Sequence, residues 1–181
     1  MRPIFTLFML VAGLGLAASM VLHLAALFGL APLLLSPLGS DAQALHMALI
    51  MGIFVVWLPA VLLGHRLNTT GNTRPSIQQM LAGCPTWMQY GFFAIFGYAV
   101  LNFFISLSGR SPGDDGLVQE LRLVTGHAML FYGIAFGSFY SVLNRPGLLA
   151  PRYCPAGHKV GHEDHFCAVC GLPAPRDGQQ P

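Results

Sequence analysis

The chain has 181 residues, of which 54% are hydrophobic and only 9% charged, with a formal net charge of +2; an ordinary globular domain carries roughly a quarter charged residues. This composition excludes a water-soluble enzyme, a disordered protein and a nucleic-acid binder held by bulk charge, because so small a positive excess attracts phosphate weakly. The charges leave four uncharged runs, 3–40, 42–65, 75–109 and 123–144, each long enough to supply the about 20 apolar residues that cross a bilayer.

The first span is expected at 4–30. A cleaved signal peptide is the alternative, with Arg2 as its basic start and Ala17-Ala18-Ser19 near a cleavage site, but the apolar stretch runs well past the about 7 to 15 residues of such a core. Pro32, Pro37, Gly39, Ser40 and Asp41 make a short connection to a second span at 45–65. Asn68-Thr69-Thr70-Gly71-Asn72 opens a longer connection to a third span at 87–107, and Ser111-Pro112-Gly113-Asp114-Asp115-Gly116 leads to a fourth at 123–144. All four read as helices, because a helix satisfies its own backbone hydrogen bonds inside hydrocarbon and an open strand does not. The expected fold class is all-α and integral to the membrane. Arg2, Arg66, Arg74, Arg145, Arg152, Lys159 and Arg176 fall on one side against Arg110 and Arg122 on the other, which predicts cytoplasmic N- and C-termini, in a bacterial inner membrane.

The two halves of this four-helix unit (1–145) look related. Val21-Leu22-His23 recurs as Val100-Leu101-Asn102, and His46 followed by Gly52-Ile53 recurs as His127 followed by Gly133-Ile134. A tandem two-helix repeat explains the pattern, and so does chance among helices built from Leu, Phe, Gly, Ala and Val. Counted by depth, His23, His46, Asn102 and His127 all fall in the outer part of the bilayer, whereas His65 belongs at the inner interface beside Arg66. Ionisable residues within a membrane are functional candidates by default. His46 and His127 are candidate axial ligands of a b-type haem, with His23 and Asn102 supporting a propionate or binding a quinone, and Gly52, Gly126 and Gly133 leaving room for a flat ring. The plainer expectation is that these residues hydrogen-bond neighbouring helices, each worth on the order of 1 kcal/mol.

Gly133, Gly137 and Ser141 recur every four residues on the last span, a small-residue face for close helix association, within the bundle or between copies. Trp57, Trp87, Tyr90 and Tyr153 include candidates for interfacial anchoring. Cys84, beside Pro85, reads as a small buried or interfacial residue. No Asp or Glu lies within any expected span, so a carboxylate proton relay has nothing to work with, and no catalytic residues are assigned.

Beyond a linker at 146–153 the strongest local signal appears: Cys154-Pro155-Ala156-Gly157-His158, then Phe166-Cys167-Ala168-Val169-Cys170-Gly171. Three cysteines and one histidine complete a tetrahedral Cys₃His set for structural zinc, with no position left open for catalysis. The segment resembles the small zinc-ribbon tails written C-P-x-G-H followed by F-C-x-x-C-G; the resemblance covers 154–172 alone and implies two ligand-bearing knuckles with Cys154, His158, Cys167 and Cys170 on the metal. His162 and His165 lie between the pairs and compete with His158 as ligands. Residues 173–181, rich in Pro, Gly and Gln, are expected to be disordered.

The leading functional expectation is a non-enzymatic membrane protein whose ribbon docks another protein. A cytochrome b-like redox protein using the histidine layer is the alternative, and a small-molecule transporter acting as a dimer is a third. The expected partners are the bilayer, a protein at the ribbon and a second copy of the chain, with no nucleic acid.

Overall fold

The computed structural model describes residues 2–39, 41–67, 77–108, 116–161 and 164–174. The helices run in the order α1 (Arg2–Leu27), α2 (Ala31–Leu35), α3 (Asp41–Leu67), α4 (Ile77–Met80), α5 (Thr86–Ser108) and α6 (Gly116–Asn144). They are followed by strands β1 (Arg152–Tyr153) and β2 (Lys159–Val160), and short 3-10 turns occupy Ser36–Leu38 and Pro146–Leu149. Helices α1, α3, α5 and α6 are long and apolar enough to cross a membrane, at the four places that hydropathy indicated.

Their ends differ from expectation for local reasons. Helix α1 stops at Leu27, short of Leu30, because Gly29 takes a positive φ of 69° and the Leu30 N–H folds back onto the Ala25 carbonyl at 2.7 Å. This is a helix C-cap that glycine permits at little steric cost. Helix α6 begins at Gly116, upstream of the expected Leu123, and so carries Glu120 and Arg122 on its first turns. The connections also hold α2 and α4, which the apolar runs had merged with loops. The long second connection at 68–76, the third at 109–115, and residues 175–181 lie outside the described residues.

Helix α6 is the centre of the unit: half of its spanning segment is buried, against 17% for α1 and for α5. Helices α1 and α3 pack on one flank of α6 and on each other, and α5 packs on the other flank. On the first flank Val56 and Ala60 of α3 meet Ala128, Ala135 and Phe139 of α6, and Phe8 stacks on Phe139 at 5.4 Å. Tyr132 crosses this seam. A Cβ at Gly15 of α1 would overlap its ring and one at Gly52 of α3 would overlap its hydroxyl, which donates to the Leu49 carbonyl at 2.8 Å.

The small-residue face of α6 is used inside the bundle. Leu81 seats over Gly137, the Gly83 N–H donates to the Ser141 hydroxyl at 2.7 Å, the Cys84 thiol donates to the Gly137 carbonyl at 3.2 Å, and Gly133 faces the Phe92 ring. Cys84 is buried, as expected. A tandem duplication is not displayed by this packing, in which α6 touches every other spanning helix and α3 and α5 occupy separate flanks.

Candidate metal centre and intramembrane polar cluster

The polar tail is tied closely to the bundle. After α6, the turn at Pro146–Leu149 places Leu148 in the same buried cluster as Leu63 and Leu67 of α3, and the paired backbone begins three residues later. In the antiparallel pair Arg152 lies opposite Val160 and Tyr153 opposite Lys159. Between the strands the chain makes the first knuckle. Cys154 N–H donates to the His158 carbonyl at 2.9 Å and Gly157 N–H to the Cys154 carbonyl at 2.8 Å, with Gly157 at φ 79°. The second knuckle is built similarly with a turn one residue longer: Gly171 N–H donates to the Cys167 carbonyl at 2.8 Å and Cys167 N–H to the Leu172 carbonyl at 2.8 Å, with Gly171 at φ 70°. Both turns need the left-handed backbone that glycine adopts freely. A bridge between Phe166 and Pro173 and a bond from Ala174 N–H to the His165 carbonyl extend the ordered backbone past the ligand pairs to Ala174.

The two knuckles converge. One ligand atom from each of Cys154, His158, Cys167 and Cys170 lies within 4.8 Å of every other. The Cys154 and Cys170 sulfurs are 3.6 Å apart and the Cys154 sulfur is 3.7 Å from His158 Nδ1. A disulfide requires about 2.05 Å between sulfurs. Sulfurs at about 2.3 Å from a tetrahedral zinc are instead separated by about 3.8 Å, so these spacings are those of a four-ligand cage with Nδ1 as the histidine donor. The Cys170 N–H aimed at the Cys167 sulfur, outweighing the cost of burial and joined by the Val169 N–H, draws that thiol down to about 7. Thiolate is the form a metal takes. The four residues can therefore bind a metal ion, and their chemistry is consistent with zinc. His165 is exposed and outside the cluster; His162 lies outside the described residues. Apart from the ligands, the ribbon's buried apolar interior is little more than Val160 with Ala174 against it, too small a core to fold so short a segment.

Within the membrane part, two of the four residues expected in the polar layer meet. His23 and Asn102 are both buried and both approach Gly126, where a Cβ would lie 2.8 Å from Asn102 Nδ2 and 3.5 Å from His23 Cε1. Asn102 Nδ2 donates to the Arg122 carbonyl at 3.3 Å. His23 makes two bonds, Nδ1 to the Thr125 hydroxyl at 2.9 Å and Nε2 to the Tyr98 hydroxyl at 2.6 Å. The direction of this chain follows from one proton. The Thr125 hydroxyl gives its only hydrogen to the Leu121 carbonyl at 2.6 Å, so toward His23 it accepts, Nδ1 carries the imidazole proton, and Nε2 receives the Tyr98 O–H. Two further polar atoms, Ser19 Oγ and Arg122 Nε, are buried with no partner among the described residues.

The other two residues of the layer stand apart from this chain. His127 Nδ1 is 2.7 Å from the Leu123 carbonyl of its own helix, and its ring packs edge-on to Phe103 at 5.7 Å. His46 lines a cavity at the opposite flank of α6 together with Leu22, Glu120 and Leu121. Room at Gly52 and Gly126 is filled by Tyr132 and Asn102. Thr125 and Tyr98 were missed in the sequence, where single hydroxyls in apolar helices are commonplace. The available signal was spacing: Ser19 with His23 and Tyr98 with Asn102 are each four apart, hence on one face of a helix. No family model, curated protein or solved structure matches this chain.

Proposed function

We propose that this chain is a non-enzymatic polytopic membrane protein whose C-terminal ribbon, folded around structural zinc, is a docking element for a second protein. The observation that carries the reading is the closed ligand set, with four donor atoms within 4.8 Å of one another and therefore no open coordination position for chemistry. Supporting it, the ribbon holds Phe166, Val169 and Leu172 out to solvent around the second knuckle, an apolar contact surface of the kind that protein interfaces use at their centre. The excess of Lys and Arg puts this ribbon and both termini on the cytoplasmic side. Metal analysis of freshly purified protein should find one zinc per chain, lost in Cys167→Ala. A photo-crosslinking residue at Val169 in native membranes should form a protein adduct that the same Cys167→Ala change removes; zinc-free protein, or an adduct unaffected by the change, refutes the reading.

A redox role, with haem b held by His127, is the second reading; His46, across α6 from it, is not a ligand to the same iron within one chain. The bond to the Leu123 carbonyl fixes the His127 proton on Nδ1 and leaves Nε2 as the bare nitrogen, the tautomer that axial and other metal-ligating histidines use. A Soret band in the detergent-purified protein, abolished by His127→Ala, supports it, and a colourless protein dismisses it.

A further inference from the structure

At the end of the bundle away from the ribbon, the first connection does more than join two spans. Gly29 turns the chain so that α2 packs on the end of α1 and the first turns of α6 and shares a cavity with the start of α3. The inner side of α2 is fixed: Ala31 is buried against Ala26 of α1 and Leu121 of α6, and Leu35 packs on the same cluster. Its outer side is apolar and bare, with Leu33 74% exposed and Phe28, just before it, also 74% exposed. A segment anchored on one side and apolar on the other belongs at the boundary of hydrocarbon and headgroups, where lipid covers the second side.

Beneath this roof is a cavity of about 760 Å³, inside the range of about 300 to 1,000 Å³ typical of small-molecule sites. Its wall divides into two kinds of surface. Leu22, Leu35, Ile50 and Leu121 supply an apolar lining, while His46 and Gln43 of α3 and Glu120 of α6 supply hydrogen-bonding groups from two different helices. Among the described residues Glu120 is the only charged group on the wall. With no cation among the described residues of the wall, the Glu120 carboxylate disfavours an anionic head by repulsion. Carboxylate accepts hydrogen bonds only, whereas Gln43 and neutral His46 can each accept and donate, so Glu120 is the group that selects a donating head.

The geometry points to a binding site for one membrane-borne amphiphile per chain, with an apolar body and a hydrogen-bond-donating head that is neutral or cationic. Access is lateral, from the bilayer beside α2. The site is independent of the ribbon and its metal, so either reading stands if the other fails. Two sources carry the required chemistry, a lipid alcohol or diol and a lipophilic primary amine, and they differ in their dependence on Glu120.

Native mass spectrometry of the full-length zinc-loaded protein, titrated with monocaprin (neutral diol), decylammonium (cationic) and decyl phosphate (anionic), tests the assignment. A one-to-one adduct is expected with the diol, the amine or both, at least tenfold tighter than with the phosphate. Met47→Trp places a large ring on a wall position that is exposed and outside the packed core; it should weaken the adduct at least tenfold while zinc content and melting temperature stay those of the parent. Glu120→Gln, also at an exposed position, should weaken the amine adduct about tenfold and the diol adduct far less, which separates the two sources. Phosphate binding as tightly as the others, no one-to-one adduct with either preferred probe, or an adduct indifferent to Met47→Trp overturns the proposal.

Discussion

The hydrogen-bond chain through His23 has a direction, and that direction is open to measurement. Tyr98→Phe keeps the ring that meets His23 edge-on at 5.4 Å and removes only the hydroxyl that donates to Nε2 at 2.6 Å. His23 is 2% exposed, so water does not replace the lost donor. Leaving a buried acceptor unsatisfied costs about 1 to 3 kcal/mol, and inter-helix bonds in membranes fall toward the lower end of such values, averaging about 0.6 kcal/mol with a maximum near 1.7. The expected loss is therefore about 1 kcal/mol, and Thr125→Val, which strands the Nδ1 proton, should cost about as much. Both bonds belong to one ring and polarise each other, so the double variant should deviate from additivity by about 0.5 kcal/mol. Reversible unfolding in mixed micelles measures all four corners of the cycle. Nitrogen-15 NMR of labelled histidine supplies the sharper check: His23 must carry its proton on Nδ1 in the parent protein. A proton found on Nε2, or two stability changes near zero, would show that the chain has been read in the wrong direction or does not form.

Removing zinc with a chelator should unfold residues 152–174 and leave the helical circular dichroism of the bundle nearly unchanged, because the ribbon has almost no core besides its ligands; helical loss on the same scale would contradict this. Zinc affinity should rise from pH 6 to 8. The folded ribbon holds the Cys167 thiol at about 7, below its ordinary value of 9.0, so this group favours the folded ribbon above that ordinary value and loses the advantage as pH falls through about 7, where protons compete with metal. A competition titration that is flat across this window would refute the ligand role of Cys167. Gly15→Ala should destabilise by about 1 to 3 kcal/mol, the usual cost of overpacking, since its Cβ overlaps the Tyr132 ring; Tyr132→Phe, which removes only the bond to Leu49, should cost less. Gly83→Ala meets the backbone of Ser141, which cannot rotate aside, and should lower stability more than Gly91→Ala, where nothing lies within 4 Å. Both comparisons are read from the same unfolding titration.

What the sequence made legible follows from which forces act locally along the chain. The four spans were readable because exclusion of charge from hydrocarbon is a property of consecutive residues, and the metal ligands because a knuckle closes within five or six residues around a glycine at its turn, as at Gly157 and Gly171. The start of α6 was not readable by the same rule. Hydropathy stops a span at the first charges, yet a helix continues through Glu120 and Arg122 once its backbone bonds are made, and those added turns bring Glu120 to the cavity and the Arg122 carbonyl to Asn102. The partners of His23 were hidden for a different reason: they come from α5 and α6, and which faces of three helices meet is decided by packing around Gly126. Depth counting placed the four polar residues at one level but carried no rotation about the axis, and rotation is what separates His23 and Asn102, which meet, from His46, which turns to the cavity under α2. The hydrophobic pattern of these helices is nearly uniform around their circumference, as it must be for a surface that faces lipid. For that reason the inward faces are marked by small and polar residues at four-residue spacing, Ser19 with His23, Tyr98 with Asn102, Gly133 with Gly137 and Ser141, and a membrane sequence is better read by that spacing than by apolar periodicity.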